Sequence, residues 1–300
     1  NRDSYVMLLG KIGNVYPASY DGRGIFKKHN VAYEYQTAQL YPSDQLVEFI
    51  KRRTQELIAV NNNVRARKIP VLPDSVTLSM VMDKDASLRH FPVGMYKETL
   101  KGAYLNLTVN NGYLITGNEL EQLTSVAKNM AITGKHIPNF MVDVLDGEGD
   151  LSSVNTIVDK YLTSDFDTYF ENLMVEENRL PNEHLIIIYS LDKIKNKFTD
   201  SKKFTECLLA MNKVDNYRFV IVDPTFKIKK FMFEPWYNDT LVNTNALWIG
   251  SGVLDQSILR LSEMGKKYKA RISDEYAWHI KNSMGEMVKL IDTEVNDNEK

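Results

Sequence analysis

The sequence predicts an α/β fold: a central, mostly parallel sheet flanked by helices, with a small β-rich extension at its N-terminal side. Three observations predict it. Fully apolar runs such as Leu185-Ile186-Ile187-Ile188 read as strands buried on both faces. Stretches with apolar residues at helical spacing alternate with these runs. The alternation starts near residue 76, after a segment of different character.

In chain order, Tyr5-Val6-Met7-Leu8-Leu9, Gly22-Arg23-Gly24-Ile25-Phe26 and Val31-Ala32-Tyr33-Glu34-Tyr35-Gln36-Thr37 are short β-type runs punctuated by glycines and Pro17. Pro42-Ser43-Asp44 opens a helix, with Ser43 as cap and Asp44 at the positive end of the helix dipole. Its apolar stripe is Leu46, Val47, Ile50, Leu57 and Ile58. Residues 61–75, with Pro70 and Pro73, form a linker. The division expected is 1–72, an N-terminal extension with its helix and linker, and 73–300, the main module. Strands are expected at 76–81, 104–109, 113–116, 140–144, 185–189, 218–222 and 246–249. Asn110-Asn111-Gly112 favours a tight hairpin between the second and third. Helices follow from Leu120, Leu123, Ala127 and Met130, from Phe166, Phe170, Leu173 and Met174, and from Phe204, Leu208 and Met211. A last helix is expected after Ser273, presenting Ala277, Ile280, Met284, Met287 and Ile291. The acidic tail from Asp292 frays.

Composition is that of an ordinary globular protein: 300 residues, 43% hydrophobic, 25% charged, net charge −2. No basic excess points to nucleic acid. The lone Cys207 excludes an intrachain disulfide and fits a reducing compartment. No run approaches the roughly 18 apolar residues of a membrane span. The start, Asn-Arg-Asp-Ser without methionine, reads as an excised piece of a longer chain and allows a membrane anchor upstream.

Residues 113–126 look like a phosphate-binding loop that has lost its chemistry. A working loop follows a buried strand, opens a helix and reads G-x-x-x-x-G-K-[ST]. Here Gly117 is the first glycine, followed by Asn118; Gln122 stands at the second glycine, Leu123 at the lysine, and Thr124 keeps the hydroxyl. A lysine must neutralise the β/γ-phosphates, a hydroxyl must hold Mg²⁺, and a strand-end carboxylate must orient metal and water. Leu123 removes the first. Glu119 and Glu121 add negative charge where a phosphate would sit, although each also suits a helix first turn. The carboxylate should follow residues 185–188, where Tyr189 and Ser190 stand and Asp192 comes later. Asp143 and Asp223 end other apolar runs, where capping or turn bonding explains them. The pattern predicts no catalytic residue, no metal and no cofactor. ATP and Mg²⁺ enter only under an alternative, a weak motor using Gly117 and Thr124 completed by a neighbouring subunit.

Other groups carry less. His29, His90, His136, His184 and His279 lack metal-type spacing. Cys207 lies on an apolar helix face as a core thiol, and Gly134-Lys135 is a helix end. The basic runs Lys51-Arg52-Arg53 and Arg65-Ala66-Arg67-Lys68 are balanced by the acidic stretches 143–150 and Glu176-Glu177. That argues for solvated faces rather than a DNA track. Phe231, Phe233, Trp236 and Tyr237, with Trp248 further on, form an aromatic group too apolar for an ordinary loop. A docking surface and packing under the sheet edge both account for it.

The ordered set Phe91-Pro92-Val93-Gly94-Met95-Tyr96, Gly112-Tyr113-Leu114-Ile115-Thr116-Gly117, Asn139-Phe140-Met141-Val142-Asp143, Glu183-His184-Leu185-Ile186-Ile187-Ile188-Tyr189-Ser190-Leu191-Asp192 and Leu247-Trp248-Ile249-Gly250-Ser251-Gly252 carries a resemblance. The chain resembles the C-terminal, third ATPase module of the FtsK/SpoIIIE-type coupling proteins of type VIIb secretion, most closely in their staphylococcal form. The resemblance implies a RecA-like P-loop NTPase fold and a place on the cytoplasmic face of the bacterial membrane within a larger anchored protein. It implies small helical secreted proteins and the upstream modules of the same chain as partners. It also implies residues 1–72 as the closing segment of a preceding module, a possible hexamer in the full assembly, and a last module that docks substrates rather than driving hydrolysis.

Overall fold

The computed structural model describes residues 2–17, 19–38, 42, 44–60, 69–110, 112–175, 181–211 and 214–293. Ser43, residues 61–68 of the linker with the basic run 65–68, Asn111, Glu176-Glu177 and the tail from 294 lie outside them. The chain divides into two compact units, Asn1–Ile69 and Pro70–Lys300.

The first unit holds α1 (Arg2–Leu9), an antiparallel ribbon of β1 (Arg23–Lys28) and β2 (Val31–Gln36), and α2 (Leu46–Val60). His29 and Asn30 join the ribbon with positive φ at both positions, which matches the right-handed twist of a two-residue hairpin. The strand expected at 5–9 is the body of α1. Among the described residues of this unit only Ile12 and Ile25 are buried large hydrophobics, and the apolar stripe of α2 is exposed throughout.

The second unit begins with α3 (Leu78–Val81), β3 (Phe91–Tyr96), β4 (Gly102–Leu105), β5 (Gly112–Gly117) and α4 (Leu120–Lys135). It continues through β6 (Phe140–Asp146), β7 (Lys160–Leu162), α5 (Phe166–Met174), β8 (Glu183–Tyr189), α6 (Leu191–Asn196) and α7 (Ser201–Met211). Last come β9 (Tyr217–Pro224), α8 (Thr225–Ile228), α9 (Pro235–Thr240), β10 (Ala246–Ile249), β11 (Tyr276–Lys281) and β12 (Met284–Leu290). All ten strands make one sheet in the order β4-β3-β12-β11-β10-β5-β9-β8-β6-β7. From β10 to β7 every pairing is parallel; from β4 to β10 every pairing is antiparallel. The expected runs at 113–116, 140–144, 185–189 and 218–222 are therefore neighbouring parallel strands.

The continuous apolar runs follow from burial on both faces. Leu114, Ile186, Ile188 and Ile221 enter one core with α5, α7 and α9. Ile115, Leu185, Ile187, Val220 and Val222 enter the other with α4. Alternation within each strand sends successive side chains to opposite layers.

Four further expectations are corrected. Residues 76–81 form a bridge at Val76 and then the short helix α3, not a strand. The second expected strand shifts: β4 ends at Leu105, and 106–109 is loop. The expected Asn-Gly hairpin does not form, because β5 pairs in parallel with β9 and β10, far from β4. The expected helix after Ser273 is the β11–β12 hairpin. Asn282 and Ser283 both take positive φ at its two-residue turn.

At the antiparallel side, residues 73–76 and 289–292 lie together. Val76 bridges Ile291 in parallel, the Asp292 N–H donates to the Val76 carbonyl at 2.9 Å, and Lys289 donates to the carbonyls of Pro73 and Asp74. Val76, Val81 and Ile291 form a separate small core there.

Candidate functional site

Parallel pairing lines up the carboxyl ends of five strands, β10, β5, β9, β8 and β6. Gly117 pairs with Pro224 and Ile249, Tyr189 with Val222, and Asp146 with Tyr189. Open α/β sheets place ligands at such an edge.

At the end of β5 the chain turns sharply. Only Asn118 and Glu119 separate Gly117 from the first residue of α4, Leu120. Gly117 is needed because a Cβ there would sit 2.3 Å from the Ile249 carbonyl oxygen. Gly117→Ala is expected to cost about 1–3 kcal/mol, since only movement of the β5–β10 pair relieves the contact. An unchanged denaturant midpoint would refute that close approach.

Helix register then decides where each motif residue points. Leu123 is fully buried in the core under α4. Gln122 faces outward and donates to Asp274 at 2.6 Å. Thr124 donates to the Leu120 carbonyl at 2.9 Å, and its hydroxyl lies 2.7 Å from the Tyr189 hydroxyl. Burial, with Asp150, Glu148 and Asp146 nearby, pushes the Tyr189 phenol up to about 12. It is a neutral hydrogen-bonding group at physiological pH.

The rest of the rim is filled from the chain itself. Ser190 takes left-handed backbone (φ +61°) as β8 turns into α6. Its hydroxyl donates to Glu148 at 2.8 Å. The Lys227 ammonium lies 2.6 Å from Glu148, 2.9 Å from the Ser190 hydroxyl, 3.7 Å from Asp192 and 4.0 Å from Asp223. Asp146 accepts the N–H groups of Glu148, Gly149 and Leu151 and the Tyr161 hydroxyl, so it shapes its own turn. Asp143, mid-strand, accepts the Tyr169 hydroxyl and faces His184 at 3.0 Å. Among the described residues no group of three or more His, Cys, Asp or Glu is placed to hold a metal ion.

Asp223 accepts the Leu191 N–H at 2.7 Å and is 1% exposed. Burial raises its carboxyl to about 7, from an ordinary value of 3.8. Between those values the folded state holds more protons than the unfolded chain. Stability therefore falls as pH rises from about 4 to about 7, by up to about 1.4 kcal/mol per pH unit. Urea unfolding across that window should show the slope, and Asp223→Asn should remove it; an equal slope in the variant rejects the assignment.

Gly117, Asn118, Gln122, Thr124, Tyr189 and Asp192 lie along one edge, with Leu123 turned into the core, and Lys227 and Glu148, not singled out from the sequence, join them. Lys227 carried a signal, its i, i+4 spacing from Asp223 after a strand end; Glu148 reaches the rim only through the fold. The aromatic group lies elsewhere. Phe231, Trp236, Tyr237 and Trp248 are buried in the core on the α5–α9 side. They pack instead of forming an open docking surface, and Phe233 alone of the five is exposed, at 95%.

The fold is that of P-loop ATPase modules, a mostly parallel central sheet flanked by helices. Its structural neighbours are ATPase modules of type VII secretion. EssC (ATPases 2 and 3) from Geobacillus thermodenitrificans matches with a TM-score of 0.65 at 17% identity, over 98% of this chain and 59% of that one. The cytoplasmic domain of EssC matches at 0.59 and 17%, over 98% and 62%. Thermomonospora curvata EccC (ATPases 2 and 3) in complex with a signal sequence peptide matches at 0.58 and 15%, over 94% and 55%. The chain thus spans less than two thirds of each of these three structures, and likeness at these identities shows the fold. No family model and no curated protein matches the chain. No helix among the described residues is long and apolar enough to cross a membrane.

Proposed function

We propose that this chain is a module of a type VII secretion ATPase that does not turn over ATP and instead docks secreted helical proteins or partner subunits. The carrying observation is the two-residue joint between β5 and α4. Wrapping a phosphate takes several consecutive backbone N–H groups in an open loop. Here the helix starts inside the motif, the lysine position is turned into the core, and Thr124 is bonded to Tyr189. These residues do not fit a phosphate chain with its Mg²⁺. On this reading residues 1–72 close a preceding module and 73–300 are the docking module, at the cytoplasmic face of a bacterial membrane. The EccC neighbour bound to a signal sequence peptide supports docking as the remaining task. The net charge of −2 argues against DNA as cargo.

The test is a calorimetric titration with ATP·Mg²⁺, and separately with secreted helical-hairpin proteins, alongside an ATPase assay. The reading expects no turnover and saturable binding of a hairpin. Turnover above blank that Thr124→Ala abolishes would replace it with a weak motor.

A further inference from the structure

The first turns of α4 form one wall of an open cleft of about 930 Å³. Residues 271–275, the end of β12 and residues 74–76 form the rest. Its charge is one-sided. Asp74, Glu119, Glu121, Asp274, Glu275 and Asp292 line it, against Arg271 and Lys289. Lys289 is buried and already engaged, donating to the Pro73 and Asp74 carbonyls and pairing with Glu275 at 3.0 Å. Glu119 and Glu121 are exposed and have no cation partner among the described residues. Between them Leu120 is 42% exposed, and with the half-buried Ile272 it gives the cleft an apolar side.

A helix N-terminus ordinarily draws anions. Two carboxylates in this first turn cancel that attraction and reverse it. A volume of this size suits an extended ligand rather than an ion. A small polycation would satisfy the carboxylates and leave Leu120 and Ile272 against water. A segment with a basic side and an apolar side matches both.

We propose that this cleft docks a cationic amphipathic peptide segment of a partner protein. Glu119, Glu121 and Asp274 face its basic side, and Leu120 and Ile272 its apolar side. This rests on the docking reading above and adds the chemistry of the partner.

The probe is a labelled helical peptide of about 14 residues (about 20 Å long), with leucines on one face and lysines on the other. A second peptide carries glutamate for lysine, and spermidine is the third probe. Fluorescence polarisation should show the lysine peptide binding. Its affinity should fall at least about tenfold between about 50 and about 500 mM salt, where exposed charges are screened. It should fall similarly in the Glu119→Gln/Glu121→Gln variant, whose melting curve verifies the fold. Leu120→Ala should weaken the peptide without changing spermidine. Equal binding of the glutamate peptide, or indifference to both salt and the double variant, would overturn the proposal. So would spermidine competing as strongly as the peptide. These failures with no ATP turnover reject the cleft alone, whereas ATP turnover rejects the docking module itself.

Discussion

Leu123→Lys is expected to unfold the second unit rather than restore a phosphate-binding lysine. In the motif this is the lysine position, yet the side chain is fully buried in the core beneath α4. An ammonium placed there has no partner, and an unpaired buried charge is among the few changes that cost more than about 4 kcal/mol. Domains are typically stable by only about 5–15 kcal/mol. The variant should lose much of its cooperative melt or melt many degrees lower, while Leu123→Met should cost less than about 1.5 kcal/mol. Adding Gln122→Gly should not help, because the obstacle is where α4 begins, and Tyr189 still stands where a carboxylate is needed. A double variant that melts like the parent and binds ATP would show that the helix can start later and release a loop.

Trp236→Ala is expected to act through folding. Trp236 is fully buried, with ring centroids 6.2 Å from Phe204, 5.8 Å from Phe231 and 5.8 Å from Tyr237. Its indole N–H donates to Glu234 at 2.7 Å. Truncation removes the largest piece of that cluster and leaves a cavity, at about 3–5 kcal/mol. Phe233→Ala, at an exposed position two residues beyond Phe231, should stay within about 0.5 kcal/mol. Guanidinium unfolding of both separates the outcomes. A Trp236→Ala protein as stable as the parent would mean that the aromatic group is not core, and would return it to consideration as a contact surface.

These two residues also show what the sequence reveals and what it hides. The parallel centre was legible because burial on both faces demands unbroken apolar runs, as at 185–188. The β11–β12 hairpin was not. Ala277, Ile280, Met284, Met287 and Ile291 fall at helical spacing by coincidence. The turn is made by Asn282 and Ser283, which lack the glycine that marks such turns. The Asn-Gly signal at 110–112 failed for the opposite reason. Its local preference is small beside the burial that β5 gains between β9 and β10. At the site, residue types were readable but orientation was not. One turn of helix decides whether Leu123 faces ligand or core, and no spacing rule fixes where α4 starts. The aromatic group was legible only as apolar, since exposure depends on which elements come to cover it.

The side-by-side placement of residues 73–76 and 289–292 has a mechanical consequence. The two segments run in the same direction, joined by the Val76–Ile291 bridge, the Asp292 to Val76 hydrogen bond and the grip of Lys289 on Pro73 and Asp74. The chain enters along one and leaves along the other. Tension applied through both flanks therefore slides them past each other, loading these bonds together in shear instead of peeling them singly. The clamp bears the pull, and the parallel strands that carry the rim stay outside the load path.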